Sequence, residues 1–188
     1  MSLYLGPSKF KELYLGSNKI KEAYIGSNLV FKGEVVPTLN YVQIGNQKWL
    51  DSNLSIDDGG SGIVHQDNVI VNGVNFGTQY YYTRDAAKRI ANTLNGWHLP
   101  SHSEMQTLTN NYGSNRANAL RSTNGWSVYQ GTNTTNFNAV PVGYYNGSYQ
   151  QRGSYACFVN TTYVLNMTQN GASYGTGNYY YSVRLLKD

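Results

Sequence analysis

The stretch "GWHLPSHSEMQTL", residues 96–108, decides how the rest of the chain is read. Asn95-Gly96 closes a helical pattern on its N-terminal side, because a glycine just past the last periodic residue is a fitting helix C-cap. Ser101-x-x-Glu104 is a capping box, in which the serine hydroxyl and the glutamate carboxylate each take an orphan amide of a helix start. A helix is therefore expected from about Ser101, with Met105 and Leu108 facing inward. Pro100 lies between His98 and His102, so these two histidines do not share a helix face. Upstream, "RDAAKRIANTLNG" (84–96) places Ala86, Ile90, Ala91 and Leu94 on one face of a first helix. Downstream, "SNRANALRSTNG" (114–125) offers a third, short one.

Strand signals lie on both sides of this helical middle. "YVQIGNQKWLDSNL" (41–54) reads as a strand, a turn at Gly45-Asn46 and a second strand entering Trp49. "SIDDGGSGIVHQDN" (55–68) reads as a loop, with His65 alone in it. "VIVNGVNFGTQYYYT" (69–83) has strand composition broken by Gly73 and Gly77, and Asn72-Gly73 is a hairpin signal. After Trp126, short strands and Gly/Asn turns continue to "YYYSVRLLKD" (179–188), a closing strand expected to return beside the opening one. This β–α–α–β order is that of an α+β domain, with helices flanking a sheet.

The N-terminus follows another rule. "LYLGPSKFKE" (3–12), "LYLGSNKIKE" (13–22) and "AYIGSNLVFK" (23–32) are near-copies, with Tyr4, Tyr14 and Tyr24 in register. Gly-Ser-Asn supplies the positive φ of tight turns, so a small β-meander of ten-residue repeats is expected. A few short strands bury no core alone, so this module is expected to pack on its neighbour domain or on sister chains. Pro37 and the change of composition set the boundary: an attachment or oligomerisation module over 1–36 and a ligand-binding domain over 37–188.

Composition narrows the function. Charged residues are only 13% and aromatic residues 14%, with 18 tyrosines. Tyrosine among Ser, Gly and Asn is the make-up of a binding surface. The net charge of +4 is mild, and no helix or loop concentrates Arg and Lys, so nucleic acid is not an expected partner. No basic n-region and apolar h-region opens the chain, and no apolar run reaches membrane-spanning length, so neither a signal peptide nor membrane insertion is expected. Cys157, the one cysteine, can form neither an internal disulfide framework nor a cysteine zinc site, and "SYACFVN" reads as a buried strand.

Specific chemistry finds little footing. His98 is expected to hydrogen-bond within the core beside Trp97. Asp57, Asp58 and Asp67 bracket a Gly-rich segment without the alternating order of a calcium loop, so a turn is expected. Residues 105–187 contain no Asp or Glu, which argues against acid/base catalysis there. No catalytic residue, metal site or cofactor is expected. The informative region is 144–181, which holds nine tyrosines with Asn, Ser and Thr between them. The expected ligand-binding residues are Tyr144, Tyr145, Asn146, Tyr149, Tyr163, Asn166, Asn170, Tyr174, Asn178 and Tyr179. Trp49, Trp97 and Trp126 are expected in the scaffold.

The blocks "VQIGNQKWLDSNL", "GWHLPSHSEMQTL", "ALRSTNGW", "NFNAVPVGYYNGSY" and "YYYSVRLLKD" occur in that order. Together they resemble the Fibrobacter succinogenes major paralogous domain family over about residues 40–188, most specifically at Gly-Trp-His-Leu-Pro-Ser (96–101). The resemblance implies a C-type-lectin-like fold, similar to variable proteins of diversity-generating retroelements, including phage receptor-binding proteins. The chain departs from the family where many members carry cysteine, having Asn95 or its neighbours and Leu185 there. Disulfide-free construction fits assembly in a cytoplasm. The Glu-Pro-Asn, Gln-Pro-Asp and Trp-Asn-Asp signatures of calcium-dependent lectins are absent, as is the cysteine pair of formylglycine-generating enzymes. Tyr, Asn, Ser and Thr are also what adenine changes in AAC-type codons yield, which fits retroelement diversification.

The resulting expectation is a phage or prophage tail receptor-binding protein, not an enzyme, made in the host cytoplasm and carried on the virion tail. It binds a bacterial surface polysaccharide or protein and meets other tail proteins through residues 1–36, with a homo-oligomer such as a trimer. A bacterial cell-surface adhesin of the same fold is the nearest alternative, and a carbohydrate-active enzyme is the alternative of another class.

Overall fold

A computed structural model of the protein describes residues 38–110 and 116–188, together with four strand segments nearer the N-terminus. The chain divides into two compact units, Met1–Thr38 and Leu39–Asp188. In the first, β1 (Leu13–Leu15) pairs with β2 (Asn18–Ile20), and β3 (Glu22–Ile25) pairs with β4 (Asn28–Lys32), as two separate antiparallel hairpins. Asn18 and Asn28, expected in turns, instead begin strands. The first repeat, the Gly-Ser turns and the packing of the repeat side chains lie outside the described residues.

The second unit mixes small antiparallel sheets with short helices, as an α+β chain does. Its opening hairpin is β5 (Tyr41–Ile44) and β6 (Gln47–Leu50), turning at Gly45 with φ +58°. The last strand, β17 (Leu186–Lys187), lies between β6 and β11 (Trp97–His98), so the sheet runs β11-β17-β6-β5. Leu186 faces Trp49 on one side and His98 on the other. The expected return of the closing strand is thus present.

The segment expected as a loop contains a strand. β7 (Ile63–Gln66) pairs with β10 (Gln79–Tyr82), and His65 lies opposite Tyr80 with their rings stacked 5.2 Å apart. Between them, β8 (Ile70–Val71) and β9 (Val74–Asn75) form the hairpin signalled by Asn72-Gly73, whose φ values are +49° and +79°. A pair of left-handed residues is what a type I′ turn requires.

α1 (Arg84–Ala91) starts on Thr83, whose hydroxyl accepts from the Ala86 amide, and buries Ala86, Ala87, Ile90 and Ala91. It ends before Leu94. The amides of Thr93 and Leu94 reach back only three residues, to Ile90 and Ala91, and the Thr93 hydroxyl also donates to the Ile90 carbonyl. Such competition tightens the last turn, and Leu94 is buried from that tightened turn. α2 (His102–Asn110) begins on the capping box: the Ser101 amide donates to Glu104 Oε2 at 2.7 Å, and the Glu104 amide donates to Ser101 Oγ at 3.2 Å. Met105 and Leu108 are buried as expected. α3 (Arg116–Leu120) follows.

One core lies around α1, with Leu50, Leu54, Tyr82, Cys157 and Val183. A second lies around α2, with Trp49, Trp126, Phe137, Phe158 and Leu165. Trp97 is half-buried against the first. β14 (Ala156–Val159), β15 (Val164–Thr168) and β16 (Gly171–Gly175) form a three-stranded sheet that contributes to both. Cys157 is 1% exposed in β14, and burial pushes its thiol up to about 12, so it is a core residue at neutral pH.

Arg184 locks the unit together. It is 1% exposed and donates to Asn53 Oδ1, to the Leu50 carbonyl and to the Asn138 carbonyl at 2.9–3.0 Å. Its guanidinium lies 4.7 Å from the Phe137 ring centre. Burial pulls its pKa down to about 9, which still leaves it charged at pH 7.

Candidate functional site

The tyrosine-rich region is organised by one backbone contact. β12 (Tyr144–Tyr145) and β13 (Tyr149–Gln150) form a hairpin turning at Asn146-Gly147. The segment before β17 pairs alongside it through an antiparallel bridge between Tyr145 and Tyr180. A second bridge joins Tyr181 to Tyr82, at the end of β10. Side chains alternate faces along extended backbone, so neighbouring tyrosines separate to opposite sides.

On one side, Tyr144 and Tyr179 stack at 5.6 Å with 12° between their planes. Tyr181 completes the cluster, 5.9 Å from Tyr144 and 6.3 Å from Tyr179. Burial pushes the Tyr181 phenol up to about 12. Beside them opens a cavity of about 350 Å³ lined by Thr83, Arg84, Asp85, Val159, Gly177, Asn178, Tyr179 and Tyr181. Arg84 is fixed there by donating Nε to the Asn160 carbonyl at 2.9 Å.

On the other side, Tyr145 meets Tyr149 at 5.1 Å and Tyr180 at 5.6 Å. Tyr149 also lies 5.5 Å from Tyr81, carries the Arg152 guanidinium 4.0 Å above its ring and donates its hydroxyl to the His65 carbonyl. Burial raises the pKa of both Tyr81 and Tyr149.

The ten residues expected from sequence therefore fall into several groups. Asn178 and Tyr179 line the cavity, with Tyr144 stacked on Tyr179, and Tyr145 and Tyr149 meet on the reverse face. Asn146 is exposed at the hairpin turn. Tyr163 and Tyr174 flank His102 elsewhere, each with its ring 4.6 Å away, and Tyr174 also contacts the Thr109 hydroxyl. Asn166 sits mid-strand in β15, opposite Cys157 and Ser173. Asn170 is exposed at the β15–β16 turn, where it lines a different cavity. Thr83, Arg84 and Asp85 were not anticipated. The Tyr82–Tyr181 bridge helps bring the start of α1 to the tyrosines, and no linear signal announces it.

One polar expectation changes and another holds. His98 is half-buried rather than within the core, with Nδ1 2.6 Å from Asp188 and Nε2 3.1 Å from Glu104. Burial pushes the Glu104 carboxyl up, but the Ser101 amide and hydroxyl and His98 outweigh it and hold the group below its ordinary 4.5. Asp57 and Asp58 accept from the Gly59 and Gly60 amides, as a turn requires. Asp58 also takes two hydrogen bonds from Arg89, which chiefly hold its carboxyl down at about 2. Among the described residues, no three His, Cys, Asp or Glu side chains gather as a metal site would need. No helix among them is long and apolar enough to cross a membrane.

Residues 42–187 match the family model of the Fibrobacter succinogenes major domain. No curated protein and no solved structure matches the chain. The matched span runs from the opening hairpin through the Ser101–Glu104 cap and the buried Arg184 to β17, and the chain belongs to the Fibrobacter succinogenes major domain family.

Proposed function

We propose that the chain is a receptor-binding protein of a phage or prophage tail, with a C-type-lectin-like domain that takes a bacterial surface glycan at the cavity lined by Asn178 and Tyr179. The observation that carries this reading is the half-exposed Tyr179 ring, held by stacking on Tyr144 at 5.6 Å, in a cavity that also offers hydroxyl, guanidinium, carboxylate and amide groups. Aromatic faces suit the C–H faces of sugar rings, and a few polar groups fix orientation. Among the described lining residues Asp85 is the one carboxylate, whereas most glycoside hydrolysis uses two, which favours binding over cleavage. The C-type-lectin-like reading draws on the family resemblance and on the last strand returning beside the first hairpin. The repeat module is the end that would join other tail proteins, and a trimer would present three such cavities together.

Binding of the full chain to host cells tests the proposal. Adsorption is expected to fall when cell glycans are oxidised with periodate and when Asn178 and Tyr179 are replaced by alanine. Adsorption unchanged by the double replacement would remove this site. A genome with no tail genes nearby would favour a cell-surface adhesin. A genome lacking both a reverse transcriptase and a near-copy of the 144–181 coding stretch would end the diversification reading.

A further inference from the structure

We propose that a second cavity, bounded by Arg121, Tyr129 and Asn170, binds an acidic sugar unit with its carboxylate on Arg121. The inference does not rest on the receptor-binding reading, because this cavity shares no lining residue with the one at Tyr179.

Arg121 is the unusual group. It is only 3% exposed, and of its three nitrogens Nη2 alone has a partner, Asn118 Oδ1 at 3.3 Å. Nε and Nη1 are closed to water and have no hydrogen-bond partner. The contrast with Arg184 is direct, since all three nitrogens of that guanidinium, which is also shielded from solvent, donate to oxygen. The sequence from 105 to 187 holds no carboxylate that could serve Arg121 locally. Burial lowers its pKa with no carboxylate acting against the shift. A buried cation with unmet donors is costly, and a partner that restores its hydrogen bonds is correspondingly favoured.

The surroundings hold that guanidinium in place. It lies 4.8 Å from the Trp126 ring centre, and Trp126 is itself fixed by its indole N–H on Ser122 Oγ at 3.0 Å. Gly131 packs on the Arg121 main chain so closely that a Cβ there would collide with the Arg121 carbonyl. Beside it is a cavity of about 260 Å³, whose other walls include Asn118, Tyr129, Gln169 and Asn170. Tyr129 is 77% exposed and has φ +47°, a left-handed conformation uncommon for a bulky side chain.

These groups divide the work of recognising a sugar acid. The planar guanidinium fork matches a carboxylate in two hydrogen bonds. The amides of Asn118, Gln169 and Asn170 suit hydroxyls, and the Tyr129 ring can cover a pyranose face. The volume fits one sugar unit. Reaching the closed Nε and Nη1 requires the exposed walls, Tyr129, Gln169 and Asn170, to move aside.

Titration of the full chain with D-glucuronate, D-glucose and inorganic phosphate, read by the arginine Nε–H signals in NMR, tests this. Glucuronate is expected to shift the Arg121 signal saturably, with glucose and phosphate leaving it in place. Tyr129→Ala and Gln169→Ala are each expected to weaken glucuronate binding by about three- to tenfold with unchanged melting. Both residues are exposed, so the test stands even where Arg121→Gln fails to fold. No shift at about 50 mM glucuronate, far above a millimolar Kd, overturns the proposal. So does an equal response to glucose or to phosphate, or binding indifferent to both wall variants.

Discussion

Tyr145 and Tyr180 exchange both of their backbone hydrogen bonds, at 3.0 and 2.9 Å, and their rings meet edge to face at 5.6 Å. This pairing fixes which tyrosines share a side. Tyr144, Tyr179 and Tyr181 gather on one side, the last two lining the cavity, because Tyr145 and Tyr180 are committed to the reverse face.

Ligand binding and folding should separate within this cluster. Tyr179 is 45% exposed, so Tyr179→Ala is expected to weaken cell adsorption while costing about 1 kcal/mol at most, the scale of its stacking on Tyr144. Tyr181 is 5% exposed, and Tyr181→Ala is expected to cost about 3 kcal/mol. Denaturant melts beside adsorption assays check both; equal destabilisation by the two would contradict their difference in burial.

Gly143 should tolerate no side chain. It has φ +69°, and a Cβ there would run into the Gln150 carbonyl oxygen, which belongs to the partner strand of the same hairpin. Gly143→Ala is expected to destabilise by about 2 kcal/mol or more, from backbone strain and the clash together. Gly147→Ala meets open space at φ +106° and should cost less. Thermal denaturation of the two variants gives the comparison.

Arg184→Lys should be far from conservative. A lysine cannot reach Asn53, Leu50 and Asn138 together, so buried acceptors lose partners while the charge stays buried. A loss of about 3 kcal/mol or more is expected by urea denaturation.

Stability should fall in acid through Asp58. Its folded pKa of about 2 lies below the ordinary 3.8, so the unfolded chain binds more protons between these values. The contribution of Asp58 is therefore complete above about pH 4 and is lost as pH falls through about 2. Glu104, also held below its ordinary value, acts in the same direction. Asp58→Asn should flatten the acid limb of a plot of melting temperature against pH. An unchanged limb would show that the Arg89 contact contributes nothing there.

What the sequence made legible was local, or tied to a pairing the pattern implied. The Ser101–Glu104 cap, the inward Met105 and Leu108, the Asn72-Gly73 turn and the buried Cys157 all depend on spacings of a few residues. The return of the last strand beside the first hairpin followed from the order of elements. β7 was hidden because only Ile63 and Val64 stand apolar after a Gly-rich turn, and its partner Gln79–Tyr82 is distant in sequence. His98 was misplaced because its partners, Glu104 and the final residue Asp188, converge only once β17 pairs with β11. Composition drew attention to the tyrosines of 144–181, although β14 within that span is buried throughout. It could not show that the register of Tyr145 with Tyr180 divides those tyrosines between two sides, nor that Thr83, Arg84 and Asp85 complete one side.

The segment from Tyr180 to Ser182 is stitched in place by main-chain groups: Tyr180 with Tyr145, Tyr181 with Tyr82, and the Ser182 carbonyl with the Val159 amide. Peptide bonds are the same whatever residue carries them. Asn146, Asn178 and Tyr179 project from this frame without being what secures it, so randomising those positions in a library should yield mostly folded clones. On the receptor-binding reading, the frame would take new targets by rewriting a handful of letters, much as an antibody domain keeps its sandwich while its loops are exchanged.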